Sequence, residues 1–504
     1  MGRSTTQTRS EPPVRVDRPA LVGLLLATAT VGVASTSVVV ALPVVLADLR
    51  GTQAQYGWMI GVTLLAAAAS GPVWGKIAEF RPVRGLILVA LVGFVTGSAL
   101  AGSATSPEAL IRLRVIQGIG VGGVFGLGPV AVGLALPGPE RSRWLNYFTG
   151  AQTTATLAGP IIGGVVLASG LSWRFTFYVG IPVAVVATLL LRRLRLQPRH
   201  RSGRRTDLAG FLLVPATLAL LLVAVSLVSD PAHRTMGFAV GAAAVVLGGL
   251  TVLVEVRAQD PVLAGRLFRQ AETAAALVAS TVVGLVMGTG FYLTQYLQVA
   301  KGLSALGSSL WSLPLVGSTL VSGLLVGRRI SRTRRYRRWL IAGAAAVALG
   351  TAALALVVPH GPLPAVAVLI ALLGFGFGCL QQNLVVAAQN SAPPEDLVAA
   401  TSTATFLRTT GGAVASPLMA IAMTAALQPR LAAVSTLPGA TDFDPDHLPD
   451  VAALPPAVAG AVTTAYAESF GVLLTAHLPL AALLMGCVLL TRDRPFTSGQ
   501  PVPG

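Results

Sequence analysis

The chain has 504 residues, of which 54% are hydrophobic and only 11% charged. No water-soluble domain of this size tolerates such a surface, so the composition is that of a membrane protein. The formal charge of +17 comes from short arginine clusters between apolar runs rather than from a basic, aromatic-rich groove, and no nucleic-acid partner is expected.

Apolar runs of about 20 residues suit helices crossing about 30 Å of hydrocarbon, and they lack the polar/apolar alternation of a membrane barrel. Fourteen spans are expected: 20–46, 57–78, 85–104, 108–136, 143–169, 174–194, 208–229, 236–255, 271–299, 305–327, 338–358, 363–390, 397–427 and 466–490. An even count puts both termini on one side. With that side taken as inside, and residues at span ends counted with the adjoining segment, 28 of the 36 Lys and Arg lie inside, five outside and three (Arg112, Arg114 and Arg408) within spans, as the positive-inside rule requires. Both termini are therefore expected in the cytoplasm. Two lysines against abundant arginine, alanine and glycine suggest a bacterial source, and so a bacterial cytoplasmic membrane.

The fold class expected is an all-α membrane protein of two six-helix bundles plus two linker helices. A cytoplasmic tail, 1–19, precedes an N-terminal bundle, 20–194, and a basic loop, 195–207. The linker spans occupy 208–255. A C-terminal bundle, 256–490, carries an outside loop, 428–465, and a second tail, 491–504, follows. Weak echoes between the halves support an internal repeat: Gly75–Arg84 after the second span is matched by Gly327–Arg335 after the tenth. The basic inside loops, densest at Arg192–Arg205 and Arg328–Arg338, are read as topology anchors that touch anionic lipid.

Several motifs fail their chemical tests. Gly118-Ile-Gly-Val-Gly-Gly123 fits a dinucleotide expression but lies inside a span with no strand before it, so the glycines are read as helix contacts. Asp442–Ala453 resembles a calcium loop, yet the sixth position is His447 and the twelfth Ala453. Cys379 and Cys487 are far apart inside apolar runs, which argues against a metal site or a disulfide framework. No cofactor, metal or catalytic residue is expected, and no enzyme.

Other residues carry a functional expectation. A charge within a span costs about 2.5–3.5 kcal/mol on insertion scales, so Arg114 should face the protein interior or water for a reason. Gln117 follows it by one turn. Ala158-Gly-Pro-Ile-Ile-Gly-Gly164 should bend its helix and present a thin face, giving Gly159, Pro160, Gly163 and Gly164 a gating role. Glu79 beside Lys76, Arg81 and Arg84 forms a charge cluster able to latch one conformation.

In that order these segments resemble the major facilitator superfamily, specifically its fourteen-span drug:proton antiporter branch. Gly75–Arg84 is similar to the family's cytoplasmic-loop motif, with Glu79, Phe80 and Pro82 as departures. Leu110–Gly123 is similar to the buried-arginine motif, Gly159–Gly164 to the antiporter motif, and Trp173–Pro182 to a branch signature. Further matches are Tyr296-Leu-Gln298 with Gly302 and Ser304, Gln389-Asn390, and Phe406-Leu-Arg408 with Gly411-Gly412. The first-span motif is matched at Thr36 and Ala41–Pro43, but Ala34 stands where the family commonly has an aspartate. The resemblance implies a central cavity, alternating access, and export of hydrophobic or amphipathic compounds driven by a proton gradient.

Polar or aromatic residues inside spans are the candidates for the binding cavity: Thr36, Asn146, Gln152, Tyr292, Gln295, Tyr296, Gln298, Trp311, Gln381, Gln382, Asn383 and Phe406. With no acid in the first six spans, proton coupling is assigned to Glu468, His477 or Glu79. Two other readings stand beside it: an anionic substrate held by Arg114 or Arg408, and a non-transporting sensor or scaffold. The partner expected is a small molecule, and the protein is expected to be monomeric.

Overall fold

The computed structural model describes residues 18–78, 81–136, 138–194, scattered positions within 213–227, and 234–257, 265–333, 335–393, 396–438 and 454–493, with 440, 443, 444 and 451. The first half contains α1 (Arg18–Leu49), α2 (Gln53–Ile77), α3 (Val83–Gly102), α4 (Pro107–Ala135), α5 (Gly138–Ala168), α6 (Phe175–Tyr178) and α7 (Ile181–Leu191). A linker helix, α8 (Arg234–Arg257), and a 3-10 turn (Gly265–Arg269) lead to the second half. There α9 (Ala271–Met287), α10 (Thr289–Gln295) and a π-helical turn (Tyr296–Ala300) make one interrupted span. The chain continues through α11 (Ala305–Thr333), α12 (Arg337–Val357), α13 (Leu363–Ser391), α14 (Leu397–Val434), α15 (Pro456–Ala476) and α16 (Leu478–Leu490).

Local chemistry marks the helix starts. Thr52 caps α2 in a reciprocal box with Gln55, and Ser106 accepts from the Ala109 amide to cap α4 before Pro107. Pro456 opens α15, a position where its missing N–H costs nothing. This start makes residues 456–465 helical, and α14 runs on to Val434, so the expected outside loop 428–465 is helical at both ends. Pro455-Pro456 reads as loop in isolation, but the second proline begins an apolar helix.

Twelve described helical stretches are long and apolar enough to span a membrane, and Phe175–Leu191 is a shorter thirteenth. The expected span 208–229 lies largely outside the described residues. Its Thr217 hydroxyl meets Thr251 of α8 at 2.8 Å, which places this stretch alongside the other linker helix. Val245, Val246, Leu356 and Val368 point outward with more than two-thirds of their surface exposed, as lipid-facing positions do. No metal-binding cluster occurs among the described residues.

Within the halves, α1 packs along α5 and α11 along α13. The first contact is made possible by glycine: a Cβ on Gly159 would run into Thr36 Oγ1, and one on Gly163 into the Ser37 carbonyl. The Gly118–Gly123 run works likewise. Gly118 and Gly122 face α2 at Thr63 and Ala67, while Gly120 and Gly123 face α3 at Phe94 and Ala90.

Candidate functional site

The two halves meet along a seam at one end of the molecule. Gln53 of α2 and Gln295 of α10 exchange a reciprocal pair of amide hydrogen bonds, 3.0 and 2.6 Å, both buried. The Tyr56 hydroxyl donates to the Phe291 carbonyl at 3.0 Å and Ser416 to the Gly57 carbonyl at 2.9 Å. Gln298 reaches the Val40 carbonyl at 2.9 Å, and Ser309 reaches the Pro160 carbonyl at 2.8 Å. Every one of these bonds is uncharged.

The seam lies opposite the described termini. Since α2 begins at the seam, α1 starts at the far end with Arg18. Likewise α9 runs toward the seam from Ala271, and Arg492 approaches Glu272 at 3.9 Å. Toward that end the halves part. Gly57 and Gly75 are 18 residues apart, about five full turns, and so share one face of α2. A Cβ on Gly57 would meet Ala420 and the Ser416 carbonyl across the seam, whereas one on Gly75 would meet nothing within 4 Å. Similarly Gly164 of α5 abuts Leu306 and Ser309 of α11, while Gly150, on nearly the same face, has open space. The conformation is closed at the seam and open toward the termini.

The candidate cavity residues divide into groups. Gln295 and Gln298 form the seam. Tyr292 lies just inside it, buried, with its hydroxyl donating to the Ser416 carbonyl and its ring 5.4 Å from Tyr56. Tyr296 stacks on Phe470 and donates to the Val358 carbonyl within the second half. Thr36 bonds back to Gly32 beneath Gly159, and Asn383 bonds back to Cys379. Gln152, Trp311 and Phe406 are half-buried, Gln381 donates to Met287 Sδ, and Gln382 is exposed. The side chain of Asn146 lies outside the described residues. Exposed Ser402, Thr405 and Thr409 continue a polar stripe on α14 beside Arg408.

The charged candidates are equally varied. Arg114 is 1% exposed, its Nε donating to the Met59 carbonyl and its guanidinium 5.8 Å from the Phe177 ring. One guanidinium nitrogen, Nη1, has no hydrogen-bond partner. Gln117, fully buried, donates to Ser98, and its Oε1 is also unpaired. Arg408 donates to the Gln381 carbonyl at 2.9 Å and ties α14 to α13. Glu468 pairs with Arg430 at 3.1 Å in a half-exposed position. Arg84 is half-buried at the start of α3, and Glu79 lies outside the described residues. His477 is fully buried between Leu473 and Thr289. Ala34 is buried beside Gly180.

Gln53, Tyr56, Ser309, Ser416 and Thr289 were not among the sequence candidates. Gln53 and Tyr56 fell at or before the expected start of the second span, and single hydroxyls are too common in spans to stand out.

The sequence pattern of the Major Facilitator Superfamily matches residues 24–416, more than three-quarters of the chain. This chain belongs to that superfamily. It is 29% identical over 469 residues to an uncharacterized MFS-type transporter of Mycobacterium tuberculosis, covering 92% of this chain and 67% of the relative. The multidrug transporter protein MdtP of Bacillus subtilis is 26% identical over 413 residues, 80% of this chain and 75% of the relative. The efflux pump FUS6 of Gibberella moniliformis is 27% identical over 404 residues, 77% and 71% of the two chains. Among solved structures, a bacterial homologue of the human lysosomal transporter Spinster, inward-facing and unoccupied, gives a TM-score of 0.69 at 14% identity over 97% of this chain and 100% of that one. At that identity the likeness is one of fold. The protein is a multi-pass MFS transporter and not an enzyme.

Proposed function

We propose that this transporter exports hydrophobic or amphipathic small molecules by alternating access, in exchange for protons, across a bacterial cytoplasmic membrane. Both termini face the cytoplasm in this reading, the protein acts as a monomer, and the basic loops rest on anionic lipid. The domain boundaries are those of two six-helix bundles, 20–194 and 256–490, separated by linker helices.

The observation that carries the proposal is the chemistry around the opening. The seam is held by amides and hydroxyls, and beyond it the exposed Ser402, Thr405 and Thr409 continue on the face of α14 that carries Ser416. Apolar compounds with a few hydrogen-bonding groups suit a site of this kind. Relatives named as efflux pumps and a multidrug transporter support the same direction. The arginine asymmetry supports an open end that faces the cytoplasm, where an exporter loads.

The deciding test is accumulation of a panel of cationic, neutral and acidic drugs in an efflux-deficient bacterium carrying the chain. Lower accumulation that disappears when the proton gradient is collapsed is expected. Reduced accumulation indifferent to the gradient removes proton exchange, and no reduction for any compound removes export.

One observation favours a second reading. Arg114 is buried with a guanidinium nitrogen left unpaired, a site suited to an anionic group. On that reading Arg114→Gln weakens transport of acids more than of cations; equal losses exclude it.

A further inference from the structure

Two helices of the second half break at neighbouring points. Between α9 and α10 the break is at Gly288, and between α15 and α16 it is at His477. The His477 ring joins them. Its Nδ1 lies 2.7 Å from the Leu473 carbonyl, its Nε2 lies 3.0 Å from Thr289 Oγ1, and that hydroxyl lies 2.8 Å from the Val286 carbonyl.

Counting protons along this chain separates the states of the ring. The two end atoms are carbonyl oxygens, which only accept, and the hydroxyl between has a single proton. A ring protonated on Nδ1 alone donates to Leu473, but then the hydroxyl proton serves either Val286 or Nε2 and one bond is lost. A ring protonated on Nε2 alone donates to Thr289 and leaves two lone pairs facing each other at Nδ1 and Leu473. Only the imidazolium makes all three bonds, with Nδ1–H on Leu473, Nε2–H on Thr289, and the Thr289 hydroxyl on Val286. Burial opposes the charge, and the completed chain favours it.

We propose that His477 is the proton-binding switch of this transporter, its protonation bracing the two helix breaks in the arrangement that closes the seam. The inference rests on the proton-exchange reading above and names the group that carries it. The bracing reaches the seam through α10. Gln295 stands six residues beyond Thr289, about 9 Å along a helix, and pairs with Gln53. Tyr292 between them is tied to Ser416, whose hydroxyl holds the first half. A proton that binds the closed arrangement better than the open one shifts the population toward it.

A small, mostly apolar cavity lined by Thr289, Thr351, Leu293, Leu354, Phe377 and Leu474 adjoins the Thr289 end of this chain. Thr351 Oγ1 is buried in this cavity without a hydrogen-bond partner.

The helices around His477 carry other ionizable groups: Glu272 on α9, Tyr292 and Tyr296 on the interrupted span, Arg337 and Arg338 on α12, Arg408 and Arg430 on α14, Tyr466 and Glu468 on α15, and Cys487 on α16. Glu272 faces Arg492 and Glu468 faces Arg430. Among the described residues, the hydrogen-bond partners of the imidazole are the Leu473 carbonyl and the Thr289 hydroxyl. The switch therefore acts without a carboxylate.

The test uses the full chain in lipid nanodiscs, spin-labelled at Ser169→Cys and Thr436→Cys, one exposed site on each half at the seam end. Distances are recorded between about pH 5.5 and 8.5, the range in which histidine titrates. The wild type is expected to favour the short distance at low pH and to lose it as pH rises. His477→Gln and Thr289→Val should flatten that profile at least about fivefold, and Thr289→Ser, which keeps the hydroxyl, should restore it. A profile unchanged in both variants overturns the proposal. So does a flat profile in the wild type. Gradient-driven uptake in liposomes separates the two readings: uptake that needs the gradient in both the wild type and His477→Gln keeps proton exchange and discards His477.

Discussion

Gly57 and Gly75 share one face of α2, and the difference in their surroundings reports how far the halves have parted. A methyl at Gly57 would strike Ala420 and the Ser416 carbonyl, whereas a methyl at Gly75 enters open space. Gly57→Ala should therefore disfavour the closed seam, lengthening the distance between labels at Ser169 and Thr436, while Gly75→Ala leaves that distance unchanged. Arg430 and Glu468 sit at the other extreme of sensitivity. Their ion pair is half-exposed, so Glu468→Gln should change thermal stability by less than about 1 kcal/mol, read as a small shift in unfolding of the purified protein. Residues of this sort were legible in the sequence as types but not as partners. Glu468 could be singled out as an acid near a span, yet nothing in its neighbourhood announced Arg430, which lies 38 residues earlier.

At the scale of elements, the seam between α2 and α10 depends on one reciprocal amide pair. Gln295→Ala removes two hydrogen bonds and leaves the Gln53 amide buried without a partner, which costs about 1–3 kcal/mol. The expected outcome is a shift toward the open seam, measured as a longer distance between spin labels at Ser169 and Thr436. Combining Gln53→Ala with Gln295→Ala should cost less than the sum of the two, because the second change removes a group already unpaired. The bend expected at Ala158–Gly164 also belongs to this scale. Its glycines admit α1, and Pro160 offers its carbonyl to Ser309 of α11. The proline and glycines announced a thin helix face, but only packing revealed that this one segment touches both halves.

For the whole molecule, the arrangement is a pair of helical bundles joined along an uncharged seam that parts toward the described termini. Opening the seam exchanges amide and hydroxyl bonds for water, with no buried ion pair across it among the described residues, which suits a transporter that alternates between states of similar free energy. Proton exchange predicts that liposome uptake driven by a pH gradient reverses direction when the gradient is inverted, measured with any compound whose accumulation the chain lowers. The membrane class, the helical fold and the family were legible because they reside in span length, hydropathy and local motifs, all of which are properties of contiguous residues. The seventh span, 208–229, was read from the same signal, and it falls largely outside the described residues.

The sequence by itself determined that the chain is a helical membrane transporter, because hydrocarbon forces every backbone polar group into local helical bonds and those leave a pattern along the chain. Only the tertiary structure decided which end is closed, which amides and hydroxyls close it, and that His477 meets Thr289. Those contacts join residues as much as 359 positions apart, as between Gly57 and Ser416, and a pairing at that separation is set by the packing of whole helices rather than by any local preference.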